Sequence, residues 1–232
     1  MKKIILVSCL LFISISVSYS QSAHDPIAII SKINKKFKLI KDYQADAVID
    51  ARISFLKILP QKATIYFKQP DKFHLQSKGI AILPKQNFEN LYSLLADEKS
   101  YQAFASGNEI INTKPTIILN VIPNQDSSDL VLAKIWVDIS NELILKAQLT
   151  TKSNGTILIE YTYSKNSDVG LPDQIIFTVD VKKFKIPKAV SADINSTASP
   201  SSNSSKEPKK GRIIVKLVNY IINKGISDTV FK

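Results

Sequence analysis

Apolar side chains recur along this chain with two different periods, and the change of period divides it into elements. Ile27, Ile30, Ile33, Phe37 and Ile40 follow one another at steps of three or four. That spacing lines one side of a helix, with lysines on the rest of the surface. Asp25 is placed to cap it, and Pro26 falls at the first helical position, where its missing N–H costs nothing. From Tyr43 the period drops to two. Tyr43, Ala45, Ala47, Ile49, Ala51, Ile53 and Phe55 alternate with Gln44, Asp46, Val48, Asp50, Arg52 and Ser54. This predicts a long strand with one apolar face. After a turn near Pro60, Ala63, Ile65 and Phe67 alternate with polar positions. After Gln69-Pro70-Asp71, so do Phe73, Leu75 and Ser77. Three strands joined by short turns make an antiparallel meander.

Residues 86–106 break the alternation. Phe88, Leu91, Tyr92, Leu94 and Leu95 fit helical spacing, with Asn87 as a cap and Gly107 as the end. The pattern predicts a short apolar helix here, or two with a break. Strands then resume at residues 116–122, 130–138, 143–151, 156–163, 174–185 and 212–222. Asn154-Gly155 is a hairpin signal between two of them. Residues 186–211 are rich in Ser, Asn, Pro and Lys and nearly empty of large apolar residues. Such a stretch cannot bury enough surface to fold, so it is expected to be a disordered excursion between two paired strands. The total is nine or ten strands with one or two helices. That many strands in meander order should curl. The fold class expected is mainly β (α+β): a strongly curved sheet or partly open barrel with helices against its concave side.

The N-terminus adds a compartment. Lys2 and Lys3 precede an apolar run from Ile4 to Val17, and Ser18-Tyr19-Ser20 offers small residues for cleavage before Gln21. That is the anatomy of a secretory signal peptide. Residues 1–20 are set aside, and residues 21–232 are taken as one domain of about 210 residues, enough for a single core. Leu6-Val7-Ser8-Cys9 resembles a lipobox, but the apolar run continues past it, so Cys9 leaves with the signal. The mature chain then has no cysteine and no disulfide to stabilise it. Its formal charge of +11 falls by two when Lys2 and Lys3 leave. The lysines are scattered over strands and loops. They suit a solvated basic surface or transient contact with anionic headgroups. Nucleic acid is excluded as a partner by the export signal and the lack of any recognition motif.

Catalytic patterns are scarce. His24 lies near the mature N-terminus, and His74 sits among lysines on the polar face of a strand. No His/Cys/carboxylate set has metal-ligand spacing. Six glycines form no phosphate loop, and no serine sits in a nucleophile elbow. Asp46, Asp50, Asp138 and Glu160 could pair for acid–base work, yet carboxylates alternating with lysines usually form a solvated face. Trp136 is expected to pack rather than to bind. The sequons at Asn154, Asn195 and Asn203 matter only in a glycosylating host. No enzyme activity and no cofactor are expected.

Several stretches together resemble the outer-membrane lipoprotein carrier family, the LolA/LolB-like proteins. They are the amphipathic first helix, the long first strand, and Ala63-Thr64-Ile65-Tyr66-Phe67-Lys68-Gln69-Pro70-Asp71-Lys72-Phe73 with its Pro-x-x-Phe turn. Ile135-Trp136-Val137-Asp138 is similar to the family's W-x-D hairpin. Leu171-Pro172 and the tail from Val218 to Phe231 also fit. The resemblance covers most of residues 25–231 and rests on the order of motifs. It implies a half-open antiparallel barrel closed by helices over an apolar cavity that receives acyl chains in the periplasm. The cargo would be an acylated lipoprotein or a related lipid, taken from an inner-membrane donor to an outer-membrane acceptor by a monomer. Ala47, Ile49, Ile53, Phe55, Ile65, Phe67, Phe73 and Leu75 would line the cavity, and Leu91, Leu94 and Leu95 would form the lid. One position departs. The family commonly has an arginine before the turn proline that helps hold the lid shut, and here that residue is Gln69.

Three other readings compete. A lipid-sensing or protein-interaction module of the envelope would share the fold without delivering cargo. A lipocalin-type binder would place its helix after the meander. An enzyme would need a polar cleft with convergent carboxylates.

Overall fold

In the computed structural model, which describes residues 25–53, 56–84, 88–180 and 210–232, the first apolar stripe forms helix α1, Pro26–Lys38. The Asp25 carboxylate accepts from the backbone N–H of Ile27 at 3.0 Å, as the capping pattern requires. Ile30 and Ile33 are buried while Lys32 and Lys35 face solvent. The strands that follow are β1 (Asp42–Ile53), β2 (Leu56–Lys57), β3 (Gln61–Lys68) and β4 (Lys72–Ser77). Helix α2 spans Phe88–Ala96. Then come β5 (Tyr101–Ile111), β6 (Lys114–Pro123), β7 (Leu130–Asp138), β8 (Leu143–Thr151), β9 (Gly155–Thr162), β10 (Gln174–Asp180) and β11 (Lys210–Ile222). A 3₁₀ turn at Asp228–Phe231 ends the chain.

Ten of these strands form one antiparallel path in the order β4-β3-β1-β11-β10-β9-β8-β7-β6-β5, and β2 folds back on the end of β1. The ends β4 and β5 are not joined, so the sheet is open. It is also strongly curved, and α1 shows why. The Phe37 ring lies 5.6 Å from that of Phe67 on β3. The neighbouring Lys36 donates to the carbonyl of Asn141, in the β7–β8 turn, at 2.7 Å. In a flat sheet β3 and β8 would stand about 24 Å apart, at five spacings of roughly 4.8 Å. Two adjacent residues reach both only because the sheet wraps the helix. Side chains alternate accordingly. Ala45, Ala47, Ile49 and Ala51 of β1 join one core with Ile213, Val215 and Leu217 of β11 and Leu119, Ile135 and Ala147 further round. Helix α2 packs on the same concave side. Asn34 donates to the Leu95 carbonyl, and the Tyr92 ring stacks on Phe37 at 4.3 Å.

The architecture is the expected one, with four local differences. In the described part of the predicted helical stretch only 88–96 is helix, and Asn87, the expected cap, lies outside the described residues. Residues 101–106 belong to β5, and Gly107 (φ +143°) sits in a bulge of that strand rather than at a helix end. Such a backbone conformation suits glycine. Strand β1 ends at Ile53 because Leu56 and Lys57 turn back to pair with Ile53 and Arg52. Phe55 lies outside the described residues. The hairpin after β8 closes over the three residues Lys152-Ser153-Asn154, with Thr151 paired to Gly155 (φ +71°), so β9 starts one residue before the expected Thr156. Lys210 and Gly211, expected in the loop, already pair with Asp180 and Val179. The signal-peptide segment, and the loop from 186 up to 209, lie outside the described residues.

Candidate functional site

The concave face packs against α1, α2 and the irregular chain after β4. An almost wholly apolar cavity of about 30 Å³ lies between that chain and strands β1, β3, β4, β10 and β11. Tyr43 and Ile65 bound it from the meander, Phe177, Val215 and Leu217 from β10 and β11, and Leu83 covers it. Tyr220 stands at its edge, its ring 5.5 Å from that of Tyr43 and its hydroxyl donating to the Pro172 carbonyl at 2.7 Å. A volume of this size suits about one water molecule. Ligand sites run to roughly 300–1,000 Å³. The space is therefore far smaller than an acyl chain needs, and one would enter only if neighbouring side chains moved apart.

The residues expected at the cavity divide into groups. Ile65 and Phe73 line it. Ala47, Ile49 and Phe67 are buried in the core beside it, with Phe67 stacked on Tyr43 at 5.3 Å. Ile53 is buried at the end of β1. Leu75 is half-buried at the margin of the core. On α2, Leu91 and Leu95 are buried and Leu94 is half-buried, so this helix turns its apolar side inward. The β10 and β11 contributors were missed. Ile175, Phe177, Val215 and Leu217 sit on the same period-two rows as the residues that were chosen, and only the pairing of β11 with β1 brings them alongside.

Polar groups around this interior hold the cover down. Gln69, at the position of the family arginine, donates its Nε2 to the carbonyls of Ile40 at 2.7 Å and Phe37 at 3.2 Å. The Phe37 carbonyl, in the last turn of α1, also accepts from the backbone N–H of Ile40 at 3.0 Å, and Ile40 lies just beyond the helix. Tyr92 of α2 is hydrogen-bonded to Tyr163, and Tyr163 donates to the Ile144 carbonyl at 2.9 Å. Burial pushes the pKa values of Tyr92, Tyr163 and Tyr220 well up, so all three are neutral hydroxyls. Tyr101, at the start of β5, is buried too. Its pKa is pushed up to about 12, first by burial and then by the carboxylates of Glu98 and Asp97.

Three of the four carboxylates considered for acid–base chemistry have separate structural partners. Asp46 accepts from Asn219 at 2.9 Å across the β1–β11 bulge. Asp50 pairs with Arg52 at 2.8 Å. Asp138 closes the β7–β8 turn on Asn141. Among the described residues no group of three or more His, Cys, Asp or Glu could hold a metal ion. Trp136, of the W-x-D stretch, is buried on the face opposite the core. Its Nε1 donates to Glu109, and the Lys146 and Lys134 ammonium groups lie 4.2 and 5.0 Å from its ring. The hydrogen bond from Trp136, then the charge of Lys146, hold the Glu109 carboxyl below its usual range. The cluster ties edge strand β5 to β7 and β8.

No sequence-family model matches the chain, and no curated protein sequence matches it. Solved structures do. A Vibrio parahaemolyticus domain that bears the name of an outer membrane lipoprotein-sorting protein aligns with 89% of this chain and 95% of its own, at TM-score 0.60 and 9% identity. A LolA superfamily protein from Nitrosomonas europaea aligns over 89% of this chain and 97% of its own, at TM-score 0.56 and 12% identity. The chain shares their fold, a LolA-like one. A DUF1329 family protein from Desulfovibrio piger shares it, at TM-score 0.57, 13% identity, and coverage of 90% and 98%. Against the LolA-type fold, the open curved sheet, the N-terminal helix and the covering α2 are all in their expected places. At these identities the likeness establishes the architecture.

Proposed function

We propose that this protein is an exported carrier that binds acyl chains of lipoproteins or related lipids between the concave sheet and its helical cover. The observation that supports this best is the largely apolar concave interior packed against helix α2. Each strand is held by ladders along its length. Among the described residues α2 is tied to its surroundings by side-chain packing and by hydrogen bonds such as Asn34–Leu95 and Ser100–Leu94. An acyl chain gains about 0.8 kcal/mol per buried CH₂, so a long chain repays, on the order of 10 kcal/mol, the loss of those contacts. The cover must also close again for cargo to leave, which suits a two-state lid. The name carried by the Vibrio domain lends support to a sorting role. On this reading residues 1–20 are a cleaved signal peptide, residues 21–232 act as one domain in the periplasm, and the chain works without a cofactor. Its partners are an inner-membrane donor and an outer-membrane acceptor. Ala47, Ile49, Ile53, Phe55, Ile65, Phe67, Phe73 and Leu75 meet the chain, with Leu91, Leu94 and Leu95 on the lid.

The small size of the closed cavity favours a second reading, an envelope sensor or interaction module whose core stays shut. Native mass spectrometry of the protein purified gently from its own envelope, followed by lipid extraction, separates the two. An acyl lipid or lipoprotein at near one-to-one stoichiometry supports the carrier. A ligand-free protein that takes up neither acylated peptide nor phospholipid supports the sensor.

A further inference from the structure

The walls of the apolar cavity are not equally fixed. Tyr43, Ile65 and Phe73 stand on β1, β3 and β4, and Phe177 and Leu217 on β10 and β11. Each of these strands is paired with its neighbours. Pro172 is tied by the Tyr220 hydroxyl, which donates to its carbonyl at 2.7 Å. Leu83 differs. It lies in residues 78–84, the chain after β4, which is neither helix nor strand. Its hydrogen bond among the described residues is the one at its start, from the Gly79 N–H to Ser77 Oγ at 3.3 Å. From Ile80 to Pro84 the backbone bonds to no described residue. Apolar packing holds this stretch: Ile82 is 1% exposed, Leu83 is half-buried against the core, and Ile80 stands out at 43%. A segment held by side-chain contacts opens at lower cost than strands held by ladders. Close-packed interiors leave few voids, and this void lies against the wall that is bonded least. Among the described residues, none of α2 lines it.

We propose that residues 78–84 are the strap that opens to admit an acyl chain, with Leu83 as its gate. The Leu83 side chain swings out, and the end of the hydrocarbon takes its place against Tyr43, Ile65 and Phe177. One apolar group replaces another, so the walls stay out of water during the exchange. Ile82 is the anchor rather than the gate, because it is buried without lining the cavity. The strap pivots at its start, where Ser77 Oγ accepts from Gly79 and donates to the Lys62 carbonyl at 3.2 Å. This inference rests on the carrier reading and adds the place of entry, in the chain before α2.

The test is the stopped-flow rate at which the full mature chain takes up N-phenyl-1-naphthylamine, with methyl palmitate as the displacing ligand, in the parent and in Leu83→Ala. A gate held by the contacts of a half-buried leucine should release on truncation. The association rate should rise about tenfold, the scale of those contacts, with no loss of affinity. Leu83→Val, a milder change, should fall between the two. A residue that only lines the site behaves differently, since its truncation speeds release, weakens binding and leaves the association rate alone. That outcome overturns the gate. Leu130→Ala on β7, where the leucine is likewise half-buried against the core, controls for general loosening. It should lower the melting temperature and keep the parent's rate, and an equal acceleration there overturns the assignment to the strap. Acceleration by Leu94→Ala and not by Leu83→Ala puts the entry at α2, which overturns the strap and leaves the carrier intact. A parent that takes up neither the probe nor methyl palmitate overturns the carrier reading and this one with it.

Discussion

At the level of single residues, Gln69 shows how a departure from an expected motif becomes a specific contact. An arginine before the turn proline would carry a charge to the cover. Gln69 brings a neutral amide, and its two hydrogen bonds end on the carbonyls of Phe37 and Ile40. It therefore fixes the exit of α1, the helix that the sheet wraps. Gln69→Ala leaves partly buried carbonyls without that donor. The expected loss is about 1–2 kcal/mol of stability, read as a lower urea midpoint at unchanged slope. An unchanged midpoint would mean that water replaces the amide without cost. The position was visible in the sequence, but its partners were not, because they lie about thirty residues upstream on a helix whose docking only the fold defines. The same holds for the cavity. Ile65 and Phe73 were legible from alternation. Tyr43 stood in the same row and was passed over, and Phe177 and Leu217 needed the strand order.

Elements were legible where the period was sustained and lost where a glycine carried two meanings. The α1 stripe, the β1 row and the strands from β6 to β9 stand within two residues of their sequence boundaries. The stretch after α2 does not. Asp97-Glu98-Lys99-Ser100 is a turn, and Tyr101 starts a strand whose Gly107 makes a bulge, a role glycine takes as readily as ending a helix. The C-terminal element carries a pH response that the sequence did not signal. Beyond β11, the backbone N–H groups of Lys224 and Gly225 donate to the buried carboxylate of Asp42 at 3.1 and 3.0 Å. Asp228 then pairs with Lys68 at 2.7 Å and Lys72 at 3.1 Å. Hydrogen bonds from Lys68, then Lys72, hold the Asp228 carboxyl below its usual pKa range. A carboxylate depressed in the folded state stabilises it above its ordinary range and loses that contribution as pH falls through the depressed value. The 3₁₀ turn should therefore loosen from β3 and β4 on acidification, while the rest of the sheet is retained. Hydrogen exchange at the Val230 amide, compared across the acid range in the parent and in Asp228→Asn, checks this. The variant should exchange fast at every pH, and identical pH profiles in the two proteins would sink the idea.

Across the whole molecule, the sheet closes its path through one long-range pairing. Strand β11, last in the chain, inserts between β1 and β10 and joins the N-terminal meander to the strands from β5 onward. Alternation predicted that β11 exists and that a long polar excursion separates it from β10. It could not place β11 beside β1, because register between distant strands depends on the curl of the whole sheet. That placement gives the excursion a measurable cost. Asp180 and Lys210 are directly paired, so a hairpin turn of a few residues could connect them. About 29 residues intervene instead, and closing a loop costs about (3/2)RT ln n. Replacing residues 181–209 by a four-residue hairpin turn should raise stability by roughly 1.5–2 kcal/mol on that scaling, read by urea unfolding. The residues named on the concave face all lie outside this segment, so uptake of acyl ligand should be unchanged if the excursion only links two strands. Stabilisation with lost uptake would assign these residues to the binding site. Destabilisation would show that the segment packs on the sheet and that the entropic account of it is wrong.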